Sequence, residues 1–362
     1  MERVKLNNTE LQRQLDLFKS QTKIELQVKD GKPYYGGSLN LQETAITSLP
    51  DNLVVSGSLN LQGTAITSLP DNLVVGGSLY LYRTAITSLP DNLVVGGWLD
   101  LQETAITSLP DNLVVGGSLY LQETAITSLP DNLVVGGSLY LQETAITSLP
   151  DNLVVSGSLN LQGTAITSLP DNLVVGGSLN LQETAITSLP DNLVVGGSLY
   201  LQETQITDTS NVNRNAPTLY EWHNGKYIKV DGIFSAVDNY HGNVYKVHQI
   251  GNKKQMYVVG DGNGKWAHGE TIDEARKDLI YKISKRDKSA FKNLKLDSVL
   301  TLEQAIECYR VITGACSAGT KDYIVNRLPK PHKNKYSIRE MIELTKDEYQ
   351  GEAFETFFAN KQ

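Results

Sequence analysis

The sequence predicts a β-solenoid of about nine twenty-residue coils followed by an α+β domain. Three observations carry this. The segment Ser-Leu-Xaa-Leu begins at Ser38 and returns at Ser58, Ser78, Trp98, Ser118, Ser138, Ser158, Ser178 and Ser198, always twenty residues on. Six apolar positions, represented by Leu59, Leu61, Ile66, Leu69, Leu73 and Val75, recur unchanged in the full copies. After Asp208 the period stops, and strand-like runs separated by Gly-containing turns give way to helix-capping signals.

Residues 1–36 are expected to form an N-terminal helical cap and a short hairpin. Leu11, Leu15 and Phe18 share one face of a helix. That face suits the apolar end of a first coil, because stacked repeats leave their ends uncovered.

Residues 37–208 form the solenoid. Alternation at Leu59-Asn60-Leu61 turns Asn60 to the opposite face from the two leucines, so six apolar side chains per coil point inward. Six such side chains cannot offset the entropy of ordering twenty residues, and stacking of coils is therefore obligatory. At a strand spacing of about 4.8 Å the stack is roughly 40 Å long. The outer half, Thr67-Ser68-Leu69-Pro70-Asp71-Asn72, is too short for a helix and contains a proline that would end one. Little or no outer helix, and hence shallow curvature, is expected. Gly76-Gly77, replaced by Ser56-Gly57 and Ser156-Gly157 in two coils, marks a corner with a sharp turn or positive φ, the second glycine being the strict one.

The spacing Leu59-x-Leu61-x-x-Thr64-x-Ile66-x-x-Leu69-Pro70 resembles the leucine-rich repeat over nearly half of the chain. The usual repeat carries asparagine where this chain has Thr64. A threonine hydroxyl can donate and accept along an internal ladder, but it cannot reproduce both amide contacts of asparagine.

Differences between copies cluster in the strand. The position after the first strand leucine reads Asn40, Asn60, Tyr80, Asp100, Tyr120, Tyr140, Asn160, Asn180 and Tyr200, with further changes at Tyr82, Arg83 and Trp98, whereas outer positions such as Thr47, Asp51 and Asn52 hardly vary. Aromatic residues give large contact area at low entropic cost, so Tyr80, Tyr82, Arg83, Trp98, Asp100, Tyr120, Tyr140 and Tyr200 are the candidate partner-binding residues. Recent duplication followed by neutral change gives the same pattern, and tyrosine ladders also stabilise sheets directly.

Ser210 to Pro217 reads as a linker or end cap (209–217). Residues 218–362 form the α+β domain. An antiparallel meander of four or five strands is expected over 218–266, with turns at Asn224-Gly225, Asp231-Gly232 and Asp261-Gly262. Helices are expected over 271–360, opened by capping boxes at Thr271 to Glu274, Thr301 to Gln304, Ser337 to Glu340 and Thr345 to Glu348. The run Ala267 to Ala275 resembles the strand-to-helix junction of HicB-type antitoxins. The repeats together with Tyr309-Arg310-Val311-Ile312-Thr313-Gly314-Ala315-Cys316 and a Lys-rich tail resemble uncharacterised repeat proteins of bacteriophages and prophages, which implies a host-interaction role.

The net charge of −8 divides unevenly: +2 over residues 1–36, −15 over 37–208 and +5 over 209–362. No stretch has the roughly 18 apolar residues of a membrane helix, and the start lacks the apolar core of a signal peptide. A soluble, cytoplasmic protein with no membrane contact is expected. Cys308 and Cys316 are too few for a disulfide framework, and no cysteine or histidine spacing indicates a metal. No cofactor, metal or catalytic set is therefore assigned. Cys316 follows a helix ending near Gly314 and could act with His268 or His332 as base, but no spacing ties them, and a small buried side chain is the simpler account. Gly260 to Lys265 is followed by Trp266 where a phosphate loop needs Ser or Thr, so a hairpin turn is expected. His223, His241 and His248 have no metal-ligand spacing.

Lys282, Lys285, Arg286, Lys288, Lys292 and Lys295, flanked by Tyr281 and Phe291 and diluted by Asp287 and Asp297, are candidate nucleic-acid contacts. The expected function is that of a non-catalytic interaction protein: the sheet face holds a protein partner, and the C-terminal domain adds a second contact or oligomerises. Two alternatives stand beside it. One is a nucleic-acid-binding or anti-defence protein, acting through those lysines or through the acidic column of Asp51, Asp71 and their equivalents as a nucleic-acid mimic; the other is an effector or toxin enzyme in the C-terminal domain.

Overall fold

The computed structural model describes residues 2–91, 93–151, 153–250, 254–346 and 348–359. The chain forms two compact units, one built mainly of residues up to Pro217 and the other mainly of residues from Thr218 onward.

In the first unit the Leu-Xaa strands, from Leu39–Asn40 to Leu199–Tyr200, stack in a parallel nine-stranded sheet with each leucine opposite the leucine of the next coil. Eight twenty-residue steps separate its first strand from its last. This is the predicted β-solenoid, and the outer half of each described coil carries no helix. Leu59, Leu61, Ile66, Leu73 and Val75 are fully buried, and their equivalents are buried along the stack except in the last coil, where Leu199, Leu201 and Ile206 are partly buried.

A second parallel sheet was not anticipated. Its strands run from Val54–Val55 to Val194–Val195, and Lys32–Tyr35 and its antiparallel partner Gln27–Lys29 extend it at the N-terminal side. The signal lay in Leu73-Val74-Val75, where β-branched residues alternate buried and half-buried.

Two expectations about the coil are corrected. At the glycine corner the sharp turn is found, with bends at Gly76 and Gly77, but the strict glycine does not take positive φ. A β-carbon at Gly77 would lie 2.7 Å from Ser58 N and 2.8 Å from the Gly57 carbonyl carbon, so glycine is needed because neighbouring coils touch there. Positive φ falls instead three residues after the variable strand position, at Glu43, Arg83, Glu103 and their equivalents, with Gly63 and Gly163 in two coils, and at Asn52 and Asn72 in the outer segment. Nor do the threonines form a ladder between coils: Thr64 Oγ1 donates to Leu61 O of its own coil at 2.7 Å, the carbonyl that also accepts Thr64 N–H at 3.1 Å. The same closure recurs from Thr44 to Thr204.

Both ends of the stack are covered. Helix α1 (Glu2–Thr22) buries Phe18 in the solenoid core, with Leu15 partly buried beside it. Gln14 fixes the docking by accepting Asp51 N–H at 3.0 Å and donating to Asp51 Oδ2 at 2.9 Å. At the far end Val212 joins the core, and Asn213 bonds the backbones of Leu193 and Val195 at 2.9 Å each.

The second unit opens with a six-stranded antiparallel meander in sequential order: Leu219–Trp222, Tyr227–Val230, Ile233–His241, Val244–His248, Gln255–Gly260 and Trp266–Gly269. Five helices follow: α2 (Ile272–Ile283), α3 (Leu302–Thr313), α4 (Ser317–Asn326), α5 (Ile338–Thr345) and α6 (Gly351–Phe358). Thr271, Thr301 and Ser337 cap α2, α3 and α5 as their sequence signatures predict. The fourth signature misleads. Thr345 is the last residue of α5, where its hydroxyl donates back to Met341 O at 2.7 Å, and α6 begins only at Gly351. Tyr309, Ile312, Phe354 and Phe358 centre the helical core. No helix among the described residues is long and apolar enough to cross a membrane.

Candidate functional site

On the solenoid, Tyr80, Asp100, Tyr120 and Tyr140 occupy successive register positions of the nine-stranded sheet. Tyr120 and Tyr140 stack with centroids 4.8 Å apart and planes 11° apart, and Trp98, 45 % exposed, meets Tyr120 edge-on at 6.4 Å. Burial, and then the neighbouring Tyr140, push the Tyr120 phenol above its ordinary pKa. Beside this file Tyr82 Oη donates to Glu103 Oε1 at 2.6 Å, while Arg83 Nε donates to Glu103 Oε2 at 2.7 Å and its guanidinium lies 4.7 Å above the Tyr82 ring. Tyr200 is exposed but separated from Tyr140 by Asn160 and Asn180.

The variable file holds two kinds of residue. Asn60, Asn160 and Asn180 each accept the backbone N–H two residues on, at 3.0 to 3.1 Å, and Asp100 does the same from Gln102 at 3.1 Å. These are local turn closures. Burial raises the Asp100 carboxyl pKa, and the bonds from Gln102 work against that rise. A tyrosine cannot close the turn in this way and presents its ring instead.

The C-terminal unit brings together residues that sequence spacing left apart. Asp231 lies in the two-residue turn Asp231-Gly232 (φ 50° and 80°), between the strands Tyr227–Val230 and Ile233–His241. His268 lies on the strand Trp266–Gly269, and Cys316 caps α4 by accepting Gly319 N–H at 3.2 Å. One donor atom from each of the three falls within 4.8 Å of the others. Lys282 of α2 is buried; it binds Asp231 Oδ1 and donates to Trp266 O at 2.9 Å, and its ammonium lies 4.1 Å above the Tyr349 ring. Burial alone would lower the Lys282 pKa, but Asp231 and Tyr349 outweigh it, so the ammonium stays charged.

Burial pushes the Cys316 thiol up to about 12, assisted by the Asp231 charge and opposed by amide bonds from Gly319 and His268. Burial also takes His268 down to about 4. Thiol and imidazole are therefore both neutral at pH 7, which is not the ionised state of an activated thiol nucleophile. Of the two candidate bases, His268 lies beside Cys316, whereas His332 is exposed on the loop before Lys335–Ser337.

The basic run does not form one surface. Lys282 is internal. Arg286 donates to Val311 O at 2.8 Å and Lys282 O at 2.7 Å, tying the ends of α3 and α2, and Lys288 is half-buried over the Phe357 ring. Lys285, Lys292 and Lys295 are the exposed members. The run Gly260 to Lys265 closes the hairpin between Gln255–Gly260 and Trp266–Gly269, with Asp261 Oδ1 accepting Asn263 N and Lys265 N.

No family model matches the sequence, and no curated protein matches it. Among solved structures the chain is similar to a leucine-rich-repeat protein of Leptospira interrogans, at 19% identity and a TM-score of 0.30. The match covers 47% of this chain and 55% of that one, so the chain spans just over half of that protein's length. The likenesses to phage repeat proteins and to the HicB junction rest on sequence resemblance alone.

Proposed function

We propose that the chain is a non-catalytic interaction protein whose solenoid sheet face holds a protein partner. The observation that carries this is the ring cluster of Trp98, Tyr120 and Tyr140. Trp98 is one of the most exposed large apolar residues of the first unit, and it stands against a stacked tyrosine pair in a file that also holds Tyr80, Asp100, Tyr200 and several asparagines. Rigid aromatic groups ringed by polar side chains are the usual composition of a binding hot spot. Stacked leucine-rich coils commonly serve as interaction scaffolds, because the column offers a long pre-formed surface that loses little entropy on binding.

The partner is a host protein, a reading supported by the resemblance to phage and prophage repeat proteins. The C-terminal unit supplies a second contact or an oligomerisation module. The protein works in a reducing cytoplasm, a setting that suits two buried cysteines that form no disulfide.

The test compares the full chain with a variant carrying Trp98→Ala, Tyr120→Ala and Tyr140→Ala as bait in extracts of the source cells. A partner retained by the first and lost by the second, with unchanged circular dichroism, supports the reading. Equal retention by the two overturns it.

A further inference from the structure

We propose that Asp231, His268 and Cys316 form a binding site for a single divalent transition-metal ion of zinc's class, buried in the C-terminal unit.

Geometry is the first support. Three donor atoms from three separate elements lie within 4.8 Å of one another. Tetrahedral zinc, with bonds of about 2.0–2.3 Å, holds its ligand atoms about 3.3–3.8 Å apart, so a small contraction closes the set. The same triangle argues against a thiol–imidazole–carboxylate relay. In a relay the imidazole stands between its partners, which sets sulfur and carboxylate oxygen about 6–7 Å apart.

The second support is the state of the donors. His268 is 1 % exposed, yet neither ring nitrogen has a hydrogen-bond partner among the described residues, and the buried Asp231 Oδ2 has none either. A neutral imidazole always carries one donor and one acceptor, and each buried group left unpaired costs about 1–3 kcal/mol. Both unpartnered groups belong to the triangle. A metal ion would engage one imidazole nitrogen, the free carboxylate oxygen and the sulfur together.

The surroundings fit a second shell. Lys282 holds Asp231 Oδ1, which leaves Oδ2 as the oxygen without a hydrogen-bond partner. Cys316 Sγ already accepts the Gly319 amide at the start of α4, an arrangement that stabilises a thiolate. Sulfur with imidazole and carboxylate selects zinc, cobalt or iron over magnesium and calcium. Three protein ligands leave one coordination position. A cavity of about 80 Å³, large enough for water, borders two of the three ligands, Asp231 and Cys316, and is lined further by Tyr309, Tyr323, Arg327 and Tyr349. Cys308, also buried, lies in the helical core outside the cluster.

The test uses the full chain expressed with zinc, assayed for metal content and then exchanged with cobalt(II). About one equivalent per chain is expected, with a thiolate-to-cobalt charge-transfer band in the near ultraviolet. Cys316→Ser is expected to lose that band, and Cys308→Ser to keep it. A folded wild-type protein that takes up no stoichiometric zinc and shows no such band overturns the proposal, as does a band lost in Cys308→Ser and kept in Cys316→Ser. The wild-type measurement decides the question even where a variant fails to fold.

Discussion

Tyr120 and Tyr140 stack at 4.8 Å, which is the separation of neighbouring strands in a sheet, so the repeat itself sets the ring spacing. A pair of this kind contributes about 0.5–1.5 kcal/mol beyond its buried area. It therefore accounts both for a gain in coil-to-coil stability and for a flat aromatic surface.

Tyr140→Asn separates these two roles. Asparagine at the equivalent positions 160 and 180 recovers the turn-closing hydrogen bond, so the substitution is expected to cost no more than about 1.5 kcal/mol while weakening partner binding. Thermal unfolding and affinity measured on the same preparation check this.

Glycines in one coil are not equivalent. A β-carbon at Gly177 would sit 2.9 Å from Gly157 and Ser158 backbone atoms, whereas one at Gly163 meets nothing within 4 Å. Gly177→Ala should cost about 1–3 kcal/mol by overpacking. Gly163→Asn, at φ 68°, should cost less than that, because asparagine tolerates the left-handed region and other coils hold glutamate there. Denaturant unfolding of the two variants gives the comparison.

Phe18 is the anchor of the N-terminal cap. Phe18→Ala is expected to cost about 3–5 kcal/mol. In a stack that loosens from its ends, hydrogen exchange should rise first in α1 and the coil containing Leu39 and Leu53. Uniform acceleration along all coils would contradict this.

Glu340 gives a pH dependence with a definite sign. Lys333 first, then the Ser337 amide and hydroxyl, hold its carboxyl down to about 2 from an ordinary 4.5. Because the folded value lies below the unfolded one, its contribution is full above about pH 4.5 and disappears as pH falls toward 2. Glu340→Gln should therefore be less stable than wild type near neutrality and converge with it at acid pH, as followed by urea unfolding across that range.

Much of the first unit is legible because each coil repeats one solution: the spacing of Leu59, Leu61, Ile66 and Leu73 alone locates the core. The valine sheet is harder to read, because its signal is confined to the three residues Leu73-Val74-Val75 of each coil. The role of Gly77 was hidden too, since contact between coils is invisible along the chain. In the C-terminal unit the capping signatures at Thr301 and Ser337 describe local hydrogen bonds and read correctly. Thr345 carries the same signature inside a helix already under way, where the hydroxyl bonds backwards instead. Asp231, His268 and Cys316 are far apart in sequence, and only the meander and α4 bring them together; the readable part was the Asp231-Gly232 turn. Lys282 looked like a surface charge because nothing in a basic run marks the one member that meets a buried aspartate.

Hydrogen exchange of the full chain, with and without its isolated protein partner, tests the binding face most directly. The account predicts protection concentrated in the strands containing Trp98 to Leu101, Ser118 to Leu121 and Ser138 to Leu141. Protection confined to the outer segments around Asp111 and Asp131, or to residues beyond Thr218, would contradict it.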